Sequence, residues 1–153
     1  MDTLYLLLKF VHVAAIIVWV GGIFALSLLN ARAAGSGNAV TQVEMGRLSE
    51  YFGRVAIGPA MIVAVLAGIA TAWRIGFPFS SLWIVWGLVG FVLSGALIGF
   101  IGRTAREFGA LPAGAGQAAA QAESIRGRLL TLNALNILIL ASVVWAMIFK
   151  PTL

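Results

Sequence analysis

The sequence has no cysteine. Disulfides, thiolate metal sites, iron–sulfur clusters and cysteine nucleophiles are thereby excluded. It has one histidine, His12, so no pair of imidazoles within the chain can share a metal. Charge is scarce: ten Lys and Arg and five Asp and Glu stand among 153 residues. The five acids, Asp2, Glu44, Glu50, Glu107 and Glu123, all fall outside the long apolar runs. A proton-coupled transporter would be expected to keep carboxylates inside them. Met61 and Met147 lie in different runs and no Met-x-x-Met pair occurs, which argues against a dedicated copper site within one chain.

Apolar surface, in contrast, is abundant. The chain is 61% hydrophobic with a mean hydropathy of +1.04, against about 45–50% apolar in soluble domains. A domain of this size keeps too large a surface-to-volume ratio to hide that excess from water, so lipid must cover it. Four stretches lack any Asp, Glu, Lys or Arg: Phe10–Ala31, Val55–Trp73, Ile75–Gly102 and Leu129–Phe149. At about 1.5 Å rise per residue, each is long enough to cross a hydrocarbon core of roughly 30 Å. Backbone groups in lipid must bond internally, which makes these runs helices. The alternating short segments of a membrane barrel are missing.

The pattern predicts a single all-α membrane domain over residues 1–153, a four-transmembrane-helix up-down bundle. The helices are placed at about 3–30, 48–74, 80–104 and 128–149, with loops at about 31–47 and 105–127. The first run, Phe10–Leu29, exceeds the roughly 7–15 apolar residues of a signal peptide and is read as a retained helix. Gly35-Ser36-Gly37-Asn38 breaks the chain. Val40–Tyr51 reads as an amphipathic extension into the second span, and Pro59 predicts a kink within that span. Ser80 or Ser81 is placed to cap the third helix. That helix is expected to continue to about Phe108, Leu111–Gly116 to form a flexible connection, and Ala118–Arg128 to lead helically into the fourth span. Lys150-Pro151 should end it. Gly95-Ala96-Leu97-Ile98-Gly99 is a GxxxG motif, read as packing against another helix of the same chain in preference to a dimer contact.

Basic residues set the orientation. Arg32, Arg47, Arg54, Arg103, Arg106, Arg126 and Arg128 belong to one side, seven in number, and Lys9, Arg74 and Lys150 to the other, three in number. The positive-inside rule puts the seven in the cytoplasm and both termini on the outer side. Aromatics mark two interfaces: Tyr5, Trp73, Phe77, Phe79, Trp83 and Phe149 outside, Tyr51, Phe52 and Phe108 inside. The expected location is a bacterial inner (plasma) membrane, crossed several times.

His12 lies about two turns below the outer surface, roughly 10 Å deep counted from Tyr5. An ionisable group at that depth points to function, and neutral imidazole ligates haem iron, copper or zinc. It can equally hydrogen-bond a neighbouring helix. Its face includes Ala15, Trp19 and Gly22. The small residues Ala15 and Gly22 leave room either for a flat cofactor or for tight helix packing. The indole N–H of Trp19, inside the membrane, needs a partner. Met147 is at about the depth of His12, so a haem held by His12 with Met147 or a vacant position as the sixth ligand is feasible, whereas a bis-histidine haem needs a second chain. Arg74 and Lys9 could meet haem propionates or snorkel to headgroups. Asn133 and Asn136 are read as structural, bonding across helices.

Lys9-Phe10-Val11-His12-Val13, followed by Trp19-Val20-Gly21-Gly22-Ile23-Phe24, resembles the first helix of the CopD/HemJ-like membrane proteins. Arg128, Asn133 and Lys150-Pro151 are similarly placed to the last helix of the HemJ pattern. The likeness, most of all to the family's uncharacterised branch of small four-helix proteins, implies that His12 is a haem ligand. It does not extend to the lysine that HemJ-type enzymes carry in helix 3, which Trp83-Ile84-Val85-Trp86-Gly87 lacks. Ala134 and Asn136 replace the Glu and Pro of the last-helix motif. HemJ-type protoporphyrinogen oxidase activity is therefore not expected. Three functions follow as expectations: a haem-b-associated membrane protein with redox or haem-handling work, a copper-handling protein of the CopD kind with His12 as metal ligand, or a non-catalytic assembly subunit. The partners implied are the lipid bilayer and a second copy or another membrane-complex protein; nucleic acid is not among them.

Overall fold

The structure is a computed structural model describing residues 2–109 and 117–151. The chain order is α1 (Thr3–Gly35), α2 (Ala39–Phe52), a π-helical turn (Gly53–Ile57), α3 (Gly58–Ile75), α4 (Leu82–Gly109) and α5 (Gln117–Phe149). The described residues contain no strand, and four helical segments are long and apolar enough to cross a membrane.

Each boundary has a local cause. Asp2 caps α1 by accepting from the Leu4 N–H at 3.2 Å. Expected to end near Asn30, α1 runs five residues further, because Ala31-Arg32-Ala33-Ala34 are good helix formers. The chain then turns at Gly37, whose φ of +66° suits glycine. Asn38 starts α2, its side-chain oxygen accepting from Val40 and Thr41 N–H at 3.0 and 3.3 Å. The segments expected as loops at 31–47 and 105–127 are thus largely helical where described. The expected connection Leu111–Gly116 and the side chain of Phe108 lie outside the described residues.

Pro59 disturbs its helix, as expected, but through a π-helical turn. Proline has no N–H and its ring crowds the carbonyl four residues back. Just before it the helix widens, and Gly58 N–H bonds to the Gly53 carbonyl, five residues back. The widened turn also brings Ile57 to α1: a Cβ on Gly22 would lie 3.0 Å from Ile57 Cγ1. At the far end α3 closes on Gly76, left-handed at φ +78°, with Phe77 N–H bonded to the Ala72 carbonyl at 3.0 Å. Ser81 precedes α4 and supports it with its backbone carbonyl, which accepts from Val85 N–H at 3.1 Å; no side-chain cap from Ser80 or Ser81 is formed.

The bundle is built from two helix pairs, α1 with α3 and α4 with α5, and α2 folds back along the end of α1. The pairs join mainly through α1 and α5, where Ser27 Oγ donates to Asn133 Oδ1 at 3.1 Å. The shared core is Ala15, Trp19, Ile23, Ile57, Ala64 and Leu140. Large apolar residues such as Phe10, Ile17, Leu66, Val92 and Leu138 face outward along every span, the arrangement lipid requires.

The α4–α5 seam corrects one expectation. Among the described residues, Gly95 and Gly99, the GxxxG pair, have nothing within 4 Å of where a Cβ would stand, so they make no close helix contact there. The close approach is made instead by Gly87 beneath Met147 and Gly90 beneath Val143. A helix carries several small residues, and only those on the face turned to its neighbour serve the contact. Trp86 Nε1 also crosses this seam, donating to Ser142 Oγ at 3.1 Å.

Candidate functional site

His12 lies in the seam between α1 and α3. Its Nδ1 is 2.6 Å from the carbonyl oxygen of Ala64. A carbonyl can only accept, so Nδ1 carries the proton of this bond. In the neutral imidazole Nε2 is then left with its lone pair. The half-buried ring has no further partner on Nε2 among the described residues. One turn along α3, Gly68 makes space for the ring: a Cβ there would come within 2.8 Å of Cε1 and 2.9 Å of Nδ1. The imidazole is thus held by one hydrogen bond and one missing side chain, with its second nitrogen left over. Metal-binding histidines are commonly oriented in this way, through the nitrogen that does not ligate.

The other expected site residues are distributed differently. Trp19 is buried in the core, edge-on to Phe91 of α4 with ring centroids 6.3 Å apart, and its Nε1 finds no partner. Ala15 is buried as well, and Gly22 sits against Ile57, so this stripe of α1 packs helices together and leaves no slot for a flat cofactor. Met147 extends its terminal methyl over Gly87, in the helix pair opposite the one that holds His12. Arg74, at the end of α3, pairs with the Asp2 carboxylate. Lys9 reaches toward the Tyr5 ring, 6.0 Å from its centroid. The structure therefore sets His12 apart from the other expected site residues, with Trp19, Met147 and Arg74 engaged elsewhere.

Two residues that complete the site were not foreseen. Ala64 and Gly68 belong to a run of small residues in Gly58–Ile75 that has no feature marking which of them faces His12. Asn133 bonds across helices as expected, and Asn136 does not: it is buried and its Oδ1 is unpaired. Among the described residues no three His, Cys, Asp or Glu side chains gather to form a metal site.

Four apolar helices with a polar contact at membrane depth define a polytopic integral membrane protein. A family model described as predicted integral membrane protein, DUF2269, matches residues 6–151, and the chain belongs to that family. No curated protein and no solved structure matches it.

Proposed function

We propose that this protein holds haem b at the membrane, with His12 Nε2 as an axial ligand. The observation that carries the reading is the 2.6 Å bond from His12 Nδ1 to the Ala64 carbonyl, which fixes the ring and leaves Nε2 its lone pair. A porphyrin brings four nitrogens of its own, so one protein ligand suffices. A copper site would need several protein donors, and no group of three His, Cys, Asp or Glu side chains gathers among the described residues. That weighs against the CopD-like alternative. The likeness of Lys9–Val13 and Trp19–Phe24 to the CopD/HemJ-like proteins supports the haem reading independently.

The packed Ala15–Gly22 stripe rules out a position between α1 and α3. A haem held by His12 would therefore have to lie on the exposed side of the half-buried ring. A second protein ligand, were one used, would have to come from a second copy, because Met147 packs over Gly87. Bound haem would supply one-electron chemistry or be carried as cargo; the chain supplies the oriented imidazole and an apolar setting. The arginine-rich end is assigned to the cytoplasm of a bacterial plasma membrane.

The test is the visible spectrum of detergent-purified protein, oxidised and reduced, for wild type and His12→Ala. A Soret band that is near-stoichiometric in wild type and lost in the variant is expected. A protein that stays colourless after expression with haem precursor and addition of haem in vitro would overturn the reading and favour the assembly subunit.

A further inference from the structure

Four arginines, one from each of four helices, stand near one level of the bundle. Asn30 of α1 donates to Ser49 Oγ of α2 at 2.8 Å. Arg32 and Arg47 each lie two residues from that bond, both toward the turn that joins the two helices, so they are level. Ser27 of α1 donates to Asn133 of α5 at 3.1 Å, and five residues further in the same direction stand Arg32 on α1 and Arg128 on α5. On the α4–α5 seam Trp86 donates to Ser142, and Gly90 lies against Val143 and Ile139. Carried along these two antiparallel helices, that register sets Arg103 within a turn of Arg128. All four arginines are exposed.

The level has a physical meaning. At the opposite end Asp2 pairs with Arg74. From Asp2 to Arg32 the chain is helical from Thr3 onward without a break. At about 1.5 Å per residue that rise is about 45 Å. A bilayer measured with both headgroup layers is about 40–45 Å thick. With the Asp2–Arg74 pair in one headgroup layer, the arginines therefore fall in the other, at the depth of the lipid phosphates. They also differ in what they already hold. Arg47 pairs with Glu44 at 3.3 Å. Arg32, Arg103 and Arg128 make no ion pair among the described residues. Arg103 lies over the Phe100 ring, 5.9 Å from its centroid, so its head reaches back along α4 toward the apolar span.

We propose that Arg32, Arg103 and Arg128 form a belt that binds anionic phospholipid headgroups, each arginine taking its own lipid. A guanidinium presents a fork of donors that matches phosphate oxygens two at a time. Zwitterionic lipids carry the same phosphate, but their own ammonium group competes for it. A net negative headgroup such as phosphatidylglycerol leaves the phosphate to the protein and adds the attraction of the anionic surface. The belt selects lipid by charge and fixes how deep the bundle sits. The proposal does not depend on whether His12 binds haem, nor on which face of the membrane the belt occupies.

The experiment uses the full chain reconstituted in phosphatidylcholine bilayers, with trace spin-labelled phosphatidylglycerol or phosphatidylcholine of the same chain length. The fraction of each label immobilised at the protein gives their relative affinity. Phosphatidylglycerol is expected to be favoured by up to about fivefold, the worth of one arginine at an anionic surface. The preference should shrink as salt is raised. It should vanish in the triple variant Arg32→Gln, Arg103→Gln, Arg128→Gln and largely survive when the same three become Lys. Equal immobilisation of the two lipids by the wild-type protein overturns the proposal. So does a preference that persists in the triple Gln variant, since other cations then carry it. A triple Lys variant no better than the triple Gln one overturns it too, because charge at this level is then not what the lipid reads. Where the triple Gln variant does not fold, the three single Gln variants decide: each should remove part of the preference, and the proposal fails if none does.

Discussion

Gly68 of α3 is the socket for the His12 ring of α1: any Cβ at this position would stand 2.8 Å from Cε1. Two consequences can be measured together. Gly68→Ala should destabilise the bundle by about 1–3 kcal/mol, the usual cost of overpacking a well-filled seam. If His12 holds haem as proposed, it should also lower haem content, because the ring must leave the Ala64 carbonyl. In a His12→Ala background the same Gly68→Ala change should be nearly neutral, as the ring it strikes is gone. Additive costs in the double variant would show that Gly68 matters for some reason other than the histidine.

The glycines of α4 divide by face. Gly90 lies directly beneath Val143, and Gly87 beneath the Met147 methyl. Gly90→Ala must push α5 away or force a new rotamer, at a cost of about 1–3 kcal/mol. Gly95→Ala and Gly99→Ala meet nothing among the described residues and gain helix propensity of up to about 1 kcal/mol each. Unfolding of the monomer in detergent should rank Gly90→Ala well below wild type and the other two at or above it. A loss of stability at Gly95 or Gly99 would mean that a second helix covers that face in the protein as purified.

These two cases show how far the sequence could be read. The four spans were legible because lipid demands long uncharged helices, and nothing shorter or more polar would do. The break at Gly35–Asn38 and the disturbance at Pro59 were legible because both depend on local backbone chemistry. Rotation about the helix axes was not. Gly87, Gly90, Gly95 and Gly99 are alike in composition, and only the neighbouring helix distinguishes them. The same limit hid Ala64 and Gly68, whose role depends on α3 lying beside α1. His12 was legible as a candidate because it is the sole histidine at depth, but its tautomer required a partner 52 residues away.

The bond between Ser27 and Asn133 is a direct polar tie between the two helix pairs, with Ser27 Oγ 3.1 Å from Asn133 Oδ1. Asn133 also donates to the Leu129 carbonyl at 2.9 Å, which holds its amide in place. A double-mutant cycle with Ser27→Ala and Asn133→Ala should give a coupling of about 0.6 kcal/mol, and not above about 1.7, the range for hydrogen bonds between membrane helices. Coupling indistinguishable from zero would mean that the pairs are joined by the apolar core alone, through Trp19, Ile23 and Leu140.

Orientation can be tested cleanly because the chain has no cysteine of its own. Thr41 is exposed on α2 and Ser80 is exposed between α3 and α4, at opposite ends of the bundle. Seven basic residues lie toward the Thr41 end and three toward the Ser80 end, which sets the expected direction. In intact cells a membrane-impermeant maleimide should label Ser80→Cys and spare Thr41→Cys until the membrane is opened. The result bears on more than topology. His12 belongs to the end of α1 at which Asp2 pairs with Arg74, so the expected labelling puts the imidazole near the outer face. Reversed labelling would overturn the positive-inside assignment and turn the His12 site toward the cytoplasm, where a haem donor or electron partner would have to approach from the opposite side.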